Sequence, residues 1–205
     1  MTIFMRNLLV AMSSVILSGC SLLSPVKSEP ENTYVLTSIP AYTVARRTHP
    51  ITLLVMPPDT NPAYNTTQMA YTVKPYQIAY FAQNRWAETP SQMLQPLMVQ
   101  TLQNTRYFHA VVTPPYAGRY QYMLSTHILK LQQDYTRRPA VLQLTLRAQL
   151  SRVTTNQIMA TKQFSVVEPL WQKSPYGGVI AANRATATML KHLSDFCLEN
   201  VARRE

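Results

Sequence analysis

The residue types that perform chemistry are few in this chain and poorly spaced for catalysis. Its 9 Asp and Glu are scattered from Glu29 to Glu205, with no pair read as turning two carboxylates toward each other for general acid–base work. The four histidines, His49, His109, His127 and His192, lack metal-ligand spacing and no two stand at i, i+4, so each reads as an ordinary strand or helix residue. Only 4 glycines occur, and they form neither a Gly-x-Ser-x-Gly elbow nor a phosphate-cradling loop. Cys197, between Phe196 and Leu198 on a helical apolar pattern, reads as a small buried hydrophobe. His192 falls off the face of that thiol, so a nucleophilic pair is not expected. These absences predict a protein that is not an enzyme and that binds no metal and no diffusible cofactor.

Cys20 is different. A short segment carrying Arg6 precedes an apolar run from Leu8 to Leu17, which is half the length of about 20 residues needed to cross a bilayer. It has the form of a signal-peptide core. The run ends in Leu17-Ser18-Gly19-Cys20, which resembles the bacterial lipobox: a leucine, two small residues that fit a peptidase cleft, then the cysteine. The expectation is a signal peptide over 1–19, cleavage between Gly19 and Cys20, a diacylglyceryl group on the Cys20 thiol and a further acyl chain, such as palmitate, on its amine. An ordinary secretory signal with a chance cysteine, or a buried helix, are the competing readings. Each buried methylene contributes about 0.8 kcal/mol, so a three-chain anchor is in practice permanent. By resemblance to the enterobacterial sorting rule, Ser21 rather than Asp after the cysteine favours the outer membrane, with the protein facing the periplasm.

The elements behind this anchor must supply a folded body. A length of 205 residues fits one domain with short appendages. Residues 20–33 form the lipidated N-terminus and a polar tether, and 34–205 form the domain. The net charge is +10, yet only 14 % of residues are charged and 46 % are hydrophobic, the composition of a globular protein with a cationic bias. The doublets Arg46-Arg47, Arg137-Arg138 and Arg203-Arg204 are spread along the chain without a nucleic-acid module. They read as solvated surface, or as surface attractive to anionic lipid headgroups or an acidic partner.

Strands are expected at Thr33–Ile39, at Ile51–Met56 (apolar on both parities and stopped by Pro57-Pro58), within Met69–Phe81 as a hairpin or two short strands, and at Tyr107–Val112. Residues 59–68 read as loop. The stretch 84–105 carries a helical stripe of Met93, Leu94, Leu97, Met98 and Leu102, with Thr89 as N-cap, Pro90 at the first position and Pro96 inside. This helical crossover to Tyr107–Val112 makes a βαβ-like unit. After Pro114-Pro115 the period becomes two, most cleanly in Leu142, Leu144, Leu146, Ala148 and Leu150, giving a three-stranded antiparallel meander. A shift of parity at Leu129 and Leu131 predicts a bulge. Residues 174–178 should end the sheet, and a helix from Val179 to Val201 buries Ala182, Ala185, Met189, Leu193 and Phe196. The predicted fold is thus a single α/β domain, a mixed sheet with two amphipathic helices packed on it.

Asn84-Arg85-Trp86-Ala87-Glu88, following an Ile-Ala-Tyr-Phe strand and opening a helix, resembles the Arg-Trp-Ala-Glu-Pro signature of the ABC-type transport auxiliary lipoproteins, the PqiC-like family. The lipobox, Tyr34-Val35-Leu36, the strand ITLLVMPP and the Gly178–Asn183 helix start keep the same order. Thr89-Pro90 stands where that family would place Pro-Leu. The resemblance implies a non-enzymatic periplasmic lipoprotein of an MCE-type lipid transport system, docking the MCE assembly at the outer membrane as a ring-forming homo-oligomer. Its implied partners are the MCE-domain protein with its ABC transporter or permease, and outer-membrane lipid, but no nucleic acid. Arg85, Trp86 and Glu88 have two readings: a partner or subunit contact, or a core anchor (Trp86), a helix N-terminal charge (Glu88) and its ion-pair partner (Arg85). A pilotin-like assembly lipoprotein of a secretion machine is the alternative function, and a lipid carrier with its own pocket a third.

Overall fold

The computed structural model of the protein describes residues 30–41 and 47–202, and from Glu31 onward the chain forms one compact unit. The signal peptide, Gly19, Cys20, most of the tether, and Arg46, Arg203 and Arg204 lie outside the described residues.

A long central strand organises the sheet. β7 (Tyr122–Asp134) pairs antiparallel along one edge with β8 (Val141–Arg152), which pairs antiparallel with β9 (Gln157–Pro169). On its other edge β7 is met by three parallel strands in succession: β2 (His49–Val55), β3 (Asp59–Thr60) and β4 (Gln68–Thr72). From β2 the sheet continues to β6 (Phe108–Val112), and from β4 to β5 (Ala79–Trp86) and β1 (Asn32–Tyr34). Helix α1 (Pro90–Asn104) packs on β6, β2, β3 and β7, while α2 (Pro175–Ala202) packs on β8 and β9 and against α1. The architecture is the expected mixed sheet with two helices. Parallel β2 and β6 are joined by a crossover that runs through β3, β4, β5 and α1, and β7–β9 form the expected meander.

Period-two patterning positions the core. Leu142, Leu144, Leu146, Ala148 and Leu150 are each at most 1 % exposed, so this entire row lies under the helices. Burying each such leucine contributes about 1.5–3 kcal/mol. The register between β7 and β8 shifts between Ile128 and Lys130. The bulge therefore falls at Leu129, and it turns Leu131 and Gln133 to the buried side.

Helix α1 begins where its capping residues place it. Thr89 has extended backbone and its side chain accepts from the Gln92 N–H, while Gln92 Oε1 accepts from the Thr89 N–H at 3.0 Å. This reciprocal box leaves Pro90 at the first helical position, where its missing N–H is of no consequence. Pro96 is accommodated on the exposed side of the helix, where water can serve the carbonyl left without a donor.

Four boundaries differ from the sequence expectations. The first strand starts at Asn32, shortening the tether, and stops at Tyr34, although Leu36 beyond it still enters the core. Within the expected loop 59–68, β3 and a 3-10 turn (Pro62–Tyr64) appear. Asn84, Arg85 and Trp86 belong to β5, not to the helical stretch. Ser174–Gly178 does not merely end the sheet, because α2 starts at Pro175. A Cβ on Gly177 would lie 2.1 Å from the Gln172 carbonyl oxygen, so this first turn requires a residue without a side chain.

Candidate functional site

The residues of the Arg-Trp-Ala-Glu signature meet at the end of β5, where the strand hands over to α1. Trp86 is fixed from both sides: its N–H donates to the Thr67 carbonyl at 2.7 Å, and the next N–H, of Ala87, donates to the Tyr34 carbonyl at 2.7 Å. Its side chain is 3 % exposed in the main hydrophobic cluster. Trp86 therefore acts as the core anchor of the signature, and only Arg85 and Glu88 present functional groups at the surface.

Arg85 does not pair with Glu88. Its guanidinium lies 2.5 Å from the carboxylate of Glu31, both side chains being a little over two-fifths exposed. Parallel pairing of β1 with β5 sets Thr33 against Arg85, which brings Glu31 within reach. Glu88 is exposed and stands one residue before the Thr89 cap, outside the first turn of α1.

The segment that Arg85 holds is also gripped by α2. Asn183 Oδ1 accepts from the backbone N–H groups of Thr37 at 2.9 Å and Ser38 at 3.2 Å, while its Nδ2 donates to the Val35 carbonyl at 3.2 Å. Asn84 Oδ1 accepts from the Tyr34 hydroxyl at 3.4 Å. Glu31–Ser38 is thus clamped between β5 and α2, with Leu36 pinned in the core at 5 % exposure. This clamp ties the N-terminal segment to both the sheet and α2. In the sequence Asn183 marks only the helix start, with no role of its own. Its signal was an asparagine on the apolar stripe of a helix, where it competes with the backbone unless it has a specific partner.

Reactive groups elsewhere are few. Cys197 is fully buried, and burial alone pushes its thiol up to about 12, so no thiolate is available near neutral pH. His127 Nδ1 lies 3.4 Å from Asp59 Oδ2, with the aspartate side chain 79 % exposed. They share a groove of about 210 Å³ with Ser125 and Arg147. So open a contact is a surface pair, not an enclosed base. Asp195 and Glu199 fall one turn apart on α2, contrary to the expectation that no two acids do, but Asp195 is engaged by Lys191 at 2.8 Å. Among the described residues no group of three His, Cys, Asp or Glu is arranged to hold a metal, and no helix is long and apolar enough to cross a membrane.

Known folds and families agree with this picture. The protein is similar in structure to XCC0632 of Xanthomonas campestris, with a TM-score of 0.76 at 18 % identity over 84 % of this chain and 98 % of that one. It is also similar to an uncharacterized protein, with a TM-score of 0.67 at 13 % identity over 82 % of this chain and 99 % of that one. At such identities the likeness concerns the fold. No curated protein matches the chain. The sequence profile of the ABC-type transport auxiliary lipoprotein component matches residues 34–194, from the last residue of β1 well into α2. The chain therefore belongs to the family of ABC-type transport auxiliary lipoprotein components, whose members are auxiliary rather than catalytic.

Proposed function

We infer that the protein is a lipoprotein cleaved between Gly19 and Cys20, lipidated on Cys20 and held at the outer membrane facing the periplasm. There it serves, without enzymatic chemistry of its own, as the auxiliary component of an MCE/ABC-type intermembrane lipid transport system and docks the MCE assembly as a ring of identical subunits. The observation that carries this reading is the family match over residues 34–194 directly behind a lipobox. The clamp on Glu31–Ser38 supports it, because a tether under load needs a firm junction with its domain. Arg85 and Glu88 are the surface residues of the signature proposed to contact a partner or a neighbouring subunit, with Trp86 fixing the strand that carries them.

The test is affinity purification of the tagged full chain from membranes, together with acyl labelling of Cys20. Co-purification of an MCE-domain protein and loss of both label and membrane association in Cys20→Ala are expected. Crosslinking to a secretin instead would replace this reading with that of a pilotin-like assembly lipoprotein, and deletion without any lipid-barrier defect would count against the transport reading.

A further inference from the structure

Three loops gather at the end of the sheet where β4, β7 and β9 finish: residues 73–78, 135–140 and 170–174. They are tied together, since the Tyr135 N–H donates to the Thr72 carbonyl at 2.9 Å and the Leu170 N–H to the Ala140 carbonyl at 2.8 Å. Lys173 Nζ sits 5.6 Å above the Tyr135 ring. Two grooves of about 520 and 720 Å³ open here and share Pro75, Thr136 and Arg137.

Large apolar side chains are exposed at this end: Val73 at 50 %, Ile78 at 39 %, Trp171 at 64 % and Tyr176 at 53 %, with Tyr76 wholly exposed. Tyr76 has φ of 63°, a left-handed conformation costly for a bulky residue, and it forms the tip of the β4–β5 turn. Interleaved with these are the exposed cations Lys74, Arg137, Arg138 and Lys173. The nearby acids are already engaged. Asp134 has a side chain only 10 % exposed and lies 3.2 Å from Arg137, and Glu168 lies 3.6 Å from Arg184. Aromatic rings beside uncompensated Lys and Arg match a membrane interface, where rings settle at headgroup level and cations meet lipid phosphates.

The route of the chain identifies the occupant. β1 runs parallel to β5 and hence away from these loops, so its first residue faces them; the Tyr34 ring lies 5.9 Å from that of Tyr176. Asn32 pairs with Asn84, no more than about 17 Å of strand from the start of β5. The eleven residues from Cys20 to Pro30 reach about 35 Å when extended. A lipid on Cys20 therefore holds a bilayer within reach of this end of the domain.

We propose that these loops form a membrane-docking surface: Tyr76, Ile78 and Trp171 settle at the headgroup level of an anionic phospholipid bilayer, and Lys74, Arg138 and Lys173 engage its phosphates. The choice of occupant rests on the anchored reading given above, whereas the test does not require the anchor. The domain from Pro30 onward carries the whole core, and the solved chain of XCC0632 consists almost entirely of this same unit, so it can be studied without lipid.

Chain 30–205 is mixed with phosphatidylcholine vesicles containing about one third phosphatidylglycerol, and with phosphatidylcholine alone. Of the 2 tryptophans, Trp86 is buried and Trp171 exposed, so a blue shift on binding reports Trp171. Flotation with the anionic vesicles, the blue shift and their loss at high salt are expected. Lys74→Glu with Lys173→Glu should weaken flotation about tenfold or more, as should Tyr76→Ser with Trp171→Ser, all at unchanged melting temperature. Tyr116→Ser with Arg119→Glu, exposed at the opposite end, should leave it intact. No binding by the unaltered domain, or equal loss in the opposite-end variant, overturns the proposal. A blue shift that grows with protein concentration in the absence of vesicles also overturns it, by making the surface an interface between copies. Failure of the anchored reading would appear separately, as an unlipidated Cys20 in the mass of the native protein.

Discussion

The side-chain oxygen of Asn183, on the third turn of α2, lies 2.9 Å from the backbone nitrogen of Thr37, 146 positions earlier in the chain. Through this contact and its partners at Ser38 and Val35, one amide closes the N-terminal segment onto the helix layer. Asn183→Ala leaves three backbone groups to water at a half-open site, so the cost is about 1–2 kcal/mol. The more informative change is local. Limited proteolysis should cut within residues 31–38 faster in the variant than in the unaltered chain, while the core holds. Equal cleavage rates would show that Leu36 and the β1–β5 pairing hold the segment without Asn183.

Neighbouring residues Arg85 and Trp86 should separate stability from function. Trp86→Ala empties a site in the core and costs about 3–5 kcal/mol. Arg85→Ala removes an ion pair whose members are 43 % and 44 % exposed, so the stability change lies within about 1 kcal/mol. Loss of partner capture by Arg85→Ala at unchanged melting temperature is the expected outcome. Capture retained at full strength would restrict Arg85 to holding Glu31.

Where a residue's environment is set by near neighbours in sequence, the structure was legible in advance. The alternation of Leu142 to Leu150 announced the meander, the parity shift announced the bulge at Leu129, and Thr89-Pro90 announced the start of α1. Long-range partners were not legible. Arg85 finds Glu31 across 54 positions because β1 lies beside β5, and nothing near either residue encodes that pairing. The polar, partly exposed Asn84 and Arg85 resembled a helix approach more than a strand. Pro175-Tyr176-Gly177-Gly178 reads as a turn by propensity, yet it forms the first turn of α2, where the close approach of Gln172 and Gln133 leaves no room for a Cβ at either glycine. The exposed rings of Tyr76 and Trp171 gained meaning only when three loops distant in sequence met.

A buried thiol and a half-buried phenol make the fold sensitive to alkaline pH. Burial pushes the Cys197 thiol from its ordinary 9.0 up to about 12, and burial with the nearby Tyr71 pushes the Tyr135 hydroxyl from 10.0 up to about 12. Above pH 9 the unfolded chain therefore releases protons that the folded chain retains. Stability is flat with respect to these groups below that value and is lost as pH rises toward 12. Melting curves should show no alkaline decline until about pH 9, then a progressive fall. A thiol reagent at pH 8 should modify Cys197 in chain 30–205 only as fast as the chain unfolds. Rapid stoichiometric reaction would contradict the buried position.

Adjacent glycines at the start of α2 should respond differently to the same methyl group. On helix propensity alone, Gly→Ala would stabilise either position by up to about 1 kcal/mol. At Gly177 the new Cβ lies 2.1 Å from the backbone oxygen of Gln172, which cannot move without displacing the β9–α2 loop. At Gly178 it meets the end of the Gln133 side chain at about 2.0 Å. That side chain can swing away, at the loss of its hydrogen bonds to the Tyr135 hydroxyl and the Pro175 carbonyl. Both variants are expected to be destabilised, by about 1–3 kcal/mol. Shortening Gln133 to Ser should recover part of the loss in Gly178→Ala and none in Gly177→Ala. A double-mutant cycle by denaturant unfolding measures this, and equal recovery in both would mean that the loop, not the side chain, yields at each position.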